Sequence, residues 1–353
     1  MRVAYLIPSL SKAAPIVVVK DLVDQIILNP SIQVKVFYLD EVDDPIVFNC
    51  DCERVSFFNL NKLSDFDAIH SHMFRPDLYL FLASFFSLRK ENMVTTLHQY
   101  NFCNFRYSGY GVLKSTFFSY LWDLLVSRHG NICVLTEHMK EYYSKRFFLR
   151  FSSIVTVNNG RPVFSKHPIN PLIDLVKKLP TGSVLMGTAS RIVELKGIDQ
   201  CIKALKYLDG HFLVIMGDGE FRQSLELLAK SENVYDRCFF LGAVIEPRHY
   251  FQFLDIAIFP SRSEGFGLSL VEAASTGIPI VCSKIPAFCE LFNQDEVSFY
   301  ELDDISSLVQ AILFAEREEK RLSKNALSRY MRSYTSDIMA SKYLNVYNSR
   351  SNY

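Results

Sequence analysis

The sequence predicts an α/β protein of two doubly wound parallel sheets, closed by a helical segment at its C-terminus. Three observations carry this. Short β-branched apolar runs recur with helical stretches between them, prolines punctuate one break near residues 159–180, and a second series of strand-like runs starts just after it. Short apolar runs bounded by polar or Gly/Pro signals suit parallel strands covered on both faces. Helical patterns between them make βαβ units. At 353 residues the chain is long for one domain and comfortable for two.

In the first half, Val3–Pro8, Val34–Leu39, Ala68–Ser71, Val94–Leu97, Ile132–Leu135 and Ile154–Val157 read as buried strands. In the second, Val184–Thr188, Phe212–Met216, Phe239–Leu241, Ile256–Pro260 and Ile278–Cys282 read likewise. Pro162, Pro168, Pro171 and Pro180 mark the break, dividing residues 1–160 from 161–330. From about Ala315 onward the strand signal disappears, and the charge run Glu316–Arg321 reads as a solvated helix face. Residues 331–353 are expected to form a helix that returns to the first domain.

Hydrophobic residues make up 49% of the chain, enough for two cores, and 38 basic residues balance 38 acidic ones. A zero net charge argues against nucleic acid as a partner. Eight cysteines, several inside apolar runs as in Ile132–Leu135, point to a reducing cytoplasm. Cys50-Asp51-Cys52 has no second pair at zinc-site spacing, so no metal is expected there. The opening stretch to Leu10 does not read as a signal peptide, because its apolar part is short and Lys12 follows. The longest charge-free apolar run, Leu78–Leu88, falls short of the roughly 18 residues of a spanning helix.

The most informative stretch is Phe259–Val281. A strand ends at Pro260, a polar loop carries Ser261, Ser263, Glu264, Gly265 and Gly267, and a helix starts near Leu268. Glycines at a strand-to-helix turn let a ligand approach the backbone, and the helix N-terminus favours an anion. Glu264 and Glu272 suit hydroxyls of a sugar or ribose, which donate hydrogen bonds. The bland alternative is a capped helix with two surface glutamates. Upstream, Arg191 and Lys196 follow another strand, with Gly197 opening a helix. Two cations at a strand's carboxyl end suit a diphosphate, Arg as a fork and Lys as a point charge; surface salt bridging is the alternative. Gly217-Asp218-Gly219 ends the next strand and says little alone.

Together these residues, with the GFGLSLVEA run of Gly265–Ala273, resemble family 4 of the glycosyltransferases, which has the GT-B fold. The resemblance covers about Val184–Cys282. It implies two Rossmann-like domains facing a central cleft and a retaining enzyme that uses a nucleotide-sugar donor. By the resemblance, Arg191 and Lys196 hold the donor diphosphate, Glu264 contacts the transferred sugar and Glu272 the ribose. Backbone at Gly267, Leu268 and Ser269 cradles the distal phosphate, and Gly217, Asp218, Gly219, Gly265 and Phe266 complete the donor site. No cofactor or metal is implied.

The first half resembles the family less closely. Asp67–His72 is similar to its strand ending in His-x-His, and Val157–Gly160 to its turn before the linker. His98, after Thr95-Thr96-Leu97, falls where the family has an active-site His on the acceptor side; His70 and His72 are expected to support loops. Ser9–Pro15, with Ala13 and Ala14, stands where members carry Gly-Gly. Asp65-Phe66-Asp67 is formally an Asp-x-Asp metal motif, but it precedes a strand.

Between Asn101 and Arg150 cations outnumber acids, and aromatics from Phe102 and Tyr107 to Phe147 and Phe148 interleave. This suits either an interfacial surface over anionic lipid or an ordinary core helix with a polar back. The expected activity is transfer from a UDP- or GDP-linked sugar to a glycan or lipid-linked oligosaccharide. Bacterial surface polysaccharide of O-antigen or capsule type is the expected setting, in the cytoplasm or at the inner face of its membrane. A sugar-nucleotide epimerase and an inactive sugar-nucleotide-binding subunit are the alternatives.

Overall fold

The computed structural model describes residues 1–107 and 109–349, with Asn104 and Tyr107 described by backbone alone. The chain divides into two compact units, Met1–Pro162 with the segment from Tyr334 onward, and Val163–Ser333. The expected boundaries at 160 and 330 therefore move by two and three residues. Arg161 is the reason for the first shift. Its guanidinium forms a buried ion pair with Asp21, its N–H donates to Tyr334 O (2.9 Å) and its carbonyl accepts from Ser336 N (2.9 Å). Residues 350–353 of the expected C-terminal helix lie outside the described residues.

The first unit runs β1 (Arg2–Ser9), α1 (Ala14–Ile26), β2 (Gln33–Asp40), β3 (Asp51–Arg54), β4 (Ala68–His72), α2 (Phe74–Ala83), β5 (Met93–Leu97), α3 (Asn101–Tyr107), α4 (Val112–Val126), β6 (Asn131–Val134), α5 (Glu137–Ser144) and β7 (Ile154–Thr156). Its strands pair in parallel in the order β3-β2-β1-β4-β5-β6-β7. The central strands are buried on both faces, as their continuous apolar runs require. Strand β3 was not anticipated: Asp-Cys-Glu-Arg is polar because it is the sheet's exposed edge.

This unit also buries a carboxylate. Asp77 of α2 is fully buried and accepts hydrogen bonds from Ser71 Oγ (2.6 Å), Thr95 Oγ1 (2.7 Å) and Trp122 Nε1 (2.6 Å). It thereby ties α2 to β4, β5 and α4.

The second unit runs α6 (Ile173–Val176), β8 (Val184–Ala189), α7 (Ile198–Leu205), β9 (His211–Met216), α8 (Arg222–Ser231), β10 (Cys238–Gly242), α9 (Arg248–Phe251), β11 (Ile256–Phe259), α10 (Leu268–Thr276), β12 (Ile280–Ser283), α11 (Pro286–Leu291), β13 (Ser298–Tyr300), α12 (Ile305–Arg317) and α13 (Glu319–Ser333). Its parallel strands lie in the order β10-β9-β8-β11-β12-β13. Strand β13 was also missed; three residues are too short to give a period. The last helix, α14 (Ser336–Asn348), belongs to the first unit and packs on α1. Among the described residues no helix is long and apolar enough to cross a membrane.

Burial raises the Asp77 pKa to about 6, although its three hydrogen bonds oppose the shift. A raised carboxyl contributes stability that is present below its unfolded pKa of about 3.9 and is lost as pH rises through the folded value. A two-unit shift corresponds to about 3 kcal/mol. Asp77→Asn does not titrate, so the melting-temperature gap between wild type and this variant should narrow as pH rises from acid to neutral. A gap independent of pH rejects this account.

Candidate functional site

In the second sheet β8 has β9 on one side and β11 on the other, so the chain reverses its direction of travel there. Loops leaving the carboxyl ends of the two strands flanking such a reversal diverge and leave a crevice, where open α/β sheets bind ligands. The loop after β8 carries Arg191 and Lys196; the loop after β11 carries Ser261, Glu264 and Gly265.

These two loops are locked together. Gly197 has φ +65°, and a Cβ there would lie 2.1 Å from Pro260 O, so only glycine fits. Gln200, one turn into α7, is buried and donates through Nε2 to Pro260 O (2.9 Å) and Gly197 O (3.3 Å). Its Oε1 accepts from Tyr300 OH (3.0 Å) and Asp303 N (2.9 Å). Arg262 adds a second clasp. Its backbone N–H donates to Leu195 O (2.8 Å), and its guanidinium donates to Glu194 O (2.8 Å) and forks onto the Asp199 carboxylate (2.9 Å for each oxygen). Burial raises the Asp199 pKa, but Arg262 and Lys203 outweigh it and hold the carboxylate below its usual range.

The clasp brings Lys196 and Glu264 into direct contact. Lys196 Nζ donates to Glu264 Oε1 at 2.5 Å, and Ser261 Oγ donates to the same oxygen at 2.8 Å. Arg191 is exposed and forks instead onto Glu220 (3.1 and 3.3 Å). The Gly217-Asp218-Gly219 loop lies on the loop that carries Arg191. A Cβ on Gly217 would meet Ser190 O at 1.8 Å and one on Gly219 would meet Ile192 O at 2.3 Å, while Ile192 N donates to Asp218 O at 2.9 Å. Both glycines are thus required by packing. The Asp218 carboxylate accepts from Gly219 N (2.8 Å) and shapes the turn.

Helix α10 begins at Gly267, whose φ of +94° and 2.4 Å approach of a built Cβ to the Phe288 ring demand glycine. The N-cap residue, a glycine, contributes no side-chain cap of its own. Phe266, expected among the donor-binding residues, is only 3% exposed, so its ring belongs to the core. Glu272 is buried on α10, about 6 Å along the axis from Leu268.

In the first unit His98 follows β5, and its Nε2 lies 2.9 Å from His72 Nδ1. Burial lowers the His98 pKa to about 4, and burial with the neighbouring His70 and His98 holds that of His72 well below its ordinary value. Both rings are therefore neutral at pH 7, and one donates to the other. His70 and His72 sit inside β4, fully buried; His72 meets the loop after β5 through His98, whereas His70 points to other partners. His70 bonds Tyr347 OH and Thr96 Oγ1 (2.7 Å each). In the Ser9–Pro15 loop, Ala13 has φ −71°, so this backbone does not need the glycines that the family pattern suggested.

Sequence reasoning did not single out Gln200, Arg262, Asp199 or Glu220. The cation two residues before Glu264, in a loop otherwise polar and neutral, was the available signal for Arg262.

A family profile described as "Glycosyl transferases group 1" matches residues 173–330. The O-antigen biosynthesis glycosyltransferase WclY of Escherichia coli is 31% identical over 99% of this chain and 98% of its own. An E. coli UDP-Gal:alpha-D-GlcNAc-diphosphoundecaprenol alpha-1,3-galactosyltransferase is 24% identical over 79% of this chain and 74% of its own. Among solved structures, Anabaena Alr3699/HepE, crystallised with UDP-glucose, superposes with a TM-score of 0.79 at 15% identity, covering 99% of this chain and 100% of that one. With the two parallel sheets, this likeness establishes the GT-B fold. None of these matches favours the epimerase or the inactive subunit.

Gln200→Leu keeps the bulk of the side chain and removes all four side-chain hydrogen bonds. Gly197 O keeps its bond from Gln200 N and Asp303 is exposed, so the stranded groups are Pro260 O and Tyr300 OH, about 2–4 kcal/mol together. The variant should melt lower by roughly 4–15 °C, taking about 2–4 °C per kcal/mol for a domain of this size. An unchanged melt removes Gln200 from the account.

Proposed function

The chain belongs to the group 1 glycosyltransferases, and from that premise we propose that it is a retaining, nucleotide-sugar-dependent member of family 4. Its setting in this reading is bacterial surface-polysaccharide assembly of O-antigen type. The observation that carries the reading is the contact of Lys196 with Glu264 across two loops that open at the sheet's reversal. A cation and a hydroxyl-binding carboxylate side by side match a ligand that joins a diphosphate to a sugar.

In this reading the diphosphate lies against Lys196, the backbone at Gly267, Leu268 and Ser269, and Arg191 once it leaves Glu220. Glu264 receives the sugar hydroxyls and Glu272 the ribose. The bond between the anomeric carbon and the phosphate oxygen breaks, with its electron pair going to the phosphate. Lys196, Arg191 and the α10 dipole stabilise that charge. The acceptor hydroxyl attacks on the same face and passes its proton to the leaving phosphate oxygen, so configuration is kept. His98, neutral at pH 7, serves the acceptor side as a hydrogen-bonding group rather than as a cation.

The WclY name supports an O-antigen setting, and the galactosyltransferase name, with its uridine donor and diphosphoundecaprenol carrier, supports a lipid-linked acceptor. The UDP-glucose complex of the Anabaena protein supports a uridine donor over a guanosine one. Eight cysteines, none in a disulfide among the described residues and several buried in the two cores, support a reducing compartment.

Two experiments test the proposal. Lys196→Ala should lower kcat by about 10²–10³ because the cation matters most as charge develops. Glu272→Ala should act mainly on KM for the donor, since ribose contacts change little during transfer. Near-normal turnover of a folded Lys196→Ala variant removes the donor site from this place. Separately, turnover should survive excess chelator, since paired cations meet the diphosphate; loss of most activity, restored by magnesium or manganese, rejects the metal-free reading.

A further inference from the structure

Helix α4 turns much of its apolar surface outward. Its buried side carries Ser115, Ser119 and Asp123 at 0% exposure beside the apolar Trp122, Leu125 and Val126. Its outward stripe is apolar: Leu113 is 87% exposed, Phe117 64%, Tyr120 41% and Leu124 38%. These four positions follow the i, i+4, i+7, i+11 spacing of a single helix face. The helix cannot roll to hide them, because its inward groups are engaged. Arg146 donates to Ser119 Oγ (2.7 Å) and to Asp123, and Asn101 Nδ2 donates to Asp123 at 3.4 Å.

The apolar stripe continues onto the turn after α5. The Phe148 ring lies 6.5 Å from that of Tyr120, and Phe147 and Phe151 beside it are 62% and 88% exposed. Cations are set into this surface on aromatic faces. Arg150 lies over Phe147 (5.0 Å) and Phe151 (4.8 Å), and Arg128, just past the end of α4, lies over exposed Phe85 (4.3 Å). Among the described residues, Arg106, Lys114, Arg128 and Arg150 have no carboxylate partner, while the acids Glu137 and Glu141 are taken by Lys140 and Lys145. The surface is thus apolar and net positive at once.

We propose that the outward face of α4, with the Phe147–Phe151 turn, docks on an anionic lipid bilayer, the aromatics entering the interface and the four cations meeting lipid phosphates. Apolar insertion and headgroup attraction are the two terms of such binding, and both are present. A second copy of the chain fits less well, because a symmetric contact would set like cations against each other. The proposal does not depend on the donor chemistry.

Co-sedimentation of the full chain with vesicles tests it, without donor or acceptor. Phosphatidylglycerol–phosphatidylcholine vesicles should bind wild type, pure phosphatidylcholine vesicles should bind it far less, and high salt should release it. The double variant Leu113→Ser/Phe117→Ser should bind at least about tenfold more weakly, and Lys114→Gln and Arg150→Gln each about fivefold more weakly on anionic vesicles only. Leu227→Ser, an equally exposed apolar site in the second unit (59%), should bind like wild type. Thermal melts confirm that each variant folds. Equal binding by the double variant, or equal binding to both vesicle types, overturns the proposal. So does a wild-type dimer in sedimentation velocity that the double variant abolishes while vesicle binding is absent, since the partner is then a second copy.

Discussion

The second unit of this protein hangs on one close approach, the backbone of Gly197 against the carbonyl of Pro260. Two loops that leave neighbouring parallel strands normally diverge; here they meet at backbone distance because a glycine in the left-handed region removes the obstructing carbon. Gln200 then satisfies the carbonyls that the meeting would otherwise strand, and Arg262 ties the far side of the same junction. The contact of Lys196 with Glu264 is a consequence of that geometry. A flexible lysine would not by itself hold a carboxylate at one place, since an exposed pair repays little of its side-chain entropy.

The first unit solves a different problem by different means. Its sheet carries histidines, threonines and a tyrosine inward, and each buried polar atom needs a partner. Helix α14 supplies several of them. Tyr347 OH meets Tyr5 OH (3.0 Å) and His70 Nδ1 (2.7 Å), and Tyr343 OH meets Thr96 Oγ1 (2.9 Å). The neutrality of His72 and His98 follows from the same dry surroundings.

Much of this was legible in the residues. The central strands announced themselves through apolar runs such as Val94–Leu97, because burial on both faces leaves a continuous signal. Two of the four edge strands did not: Asp51–Arg54 is polar and faces solvent, and Ser298–Tyr300 is short and begins with a serine, whereas the apolar edges at Ile154–Thr156 and Cys238–Gly242 were seen. The residues proposed to bear the chemistry, Arg191, Lys196, Glu264 and Glu272, stood out because their spacing follows the strand-loop-helix order. Their supports did not, since Gln200 and Asp199 look like ordinary helix-surface residues until Pro260 and Arg262, some sixty positions away, are folded against them. Phe266 lies in the same loop as Glu264, with its ring turned inward. The basic and aromatic content of Asn101–Arg150 could not tell core from surface, because only the folded helix shows which stripe of α4 faces out.

The pairing of Tyr5 with Tyr347 spans 342 positions, and that distance has a bearing on how the chain comes to be folded during synthesis. The ribosome releases the β1–β7 half first, yet the hydroxyls that satisfy its histidines arrive with the last helix. The middle unit, contiguous from Val163 to Ser333, has all its parts as soon as it emerges, so it can close before the half that was made ahead of it. Contacts this distant in sequence also slow the search for the native state, because the loop they close is nearly the whole chain. A chain without α14 would therefore keep one complete domain and leave His70 and Thr96 of the other without the hydroxyls of Tyr347 and Tyr343.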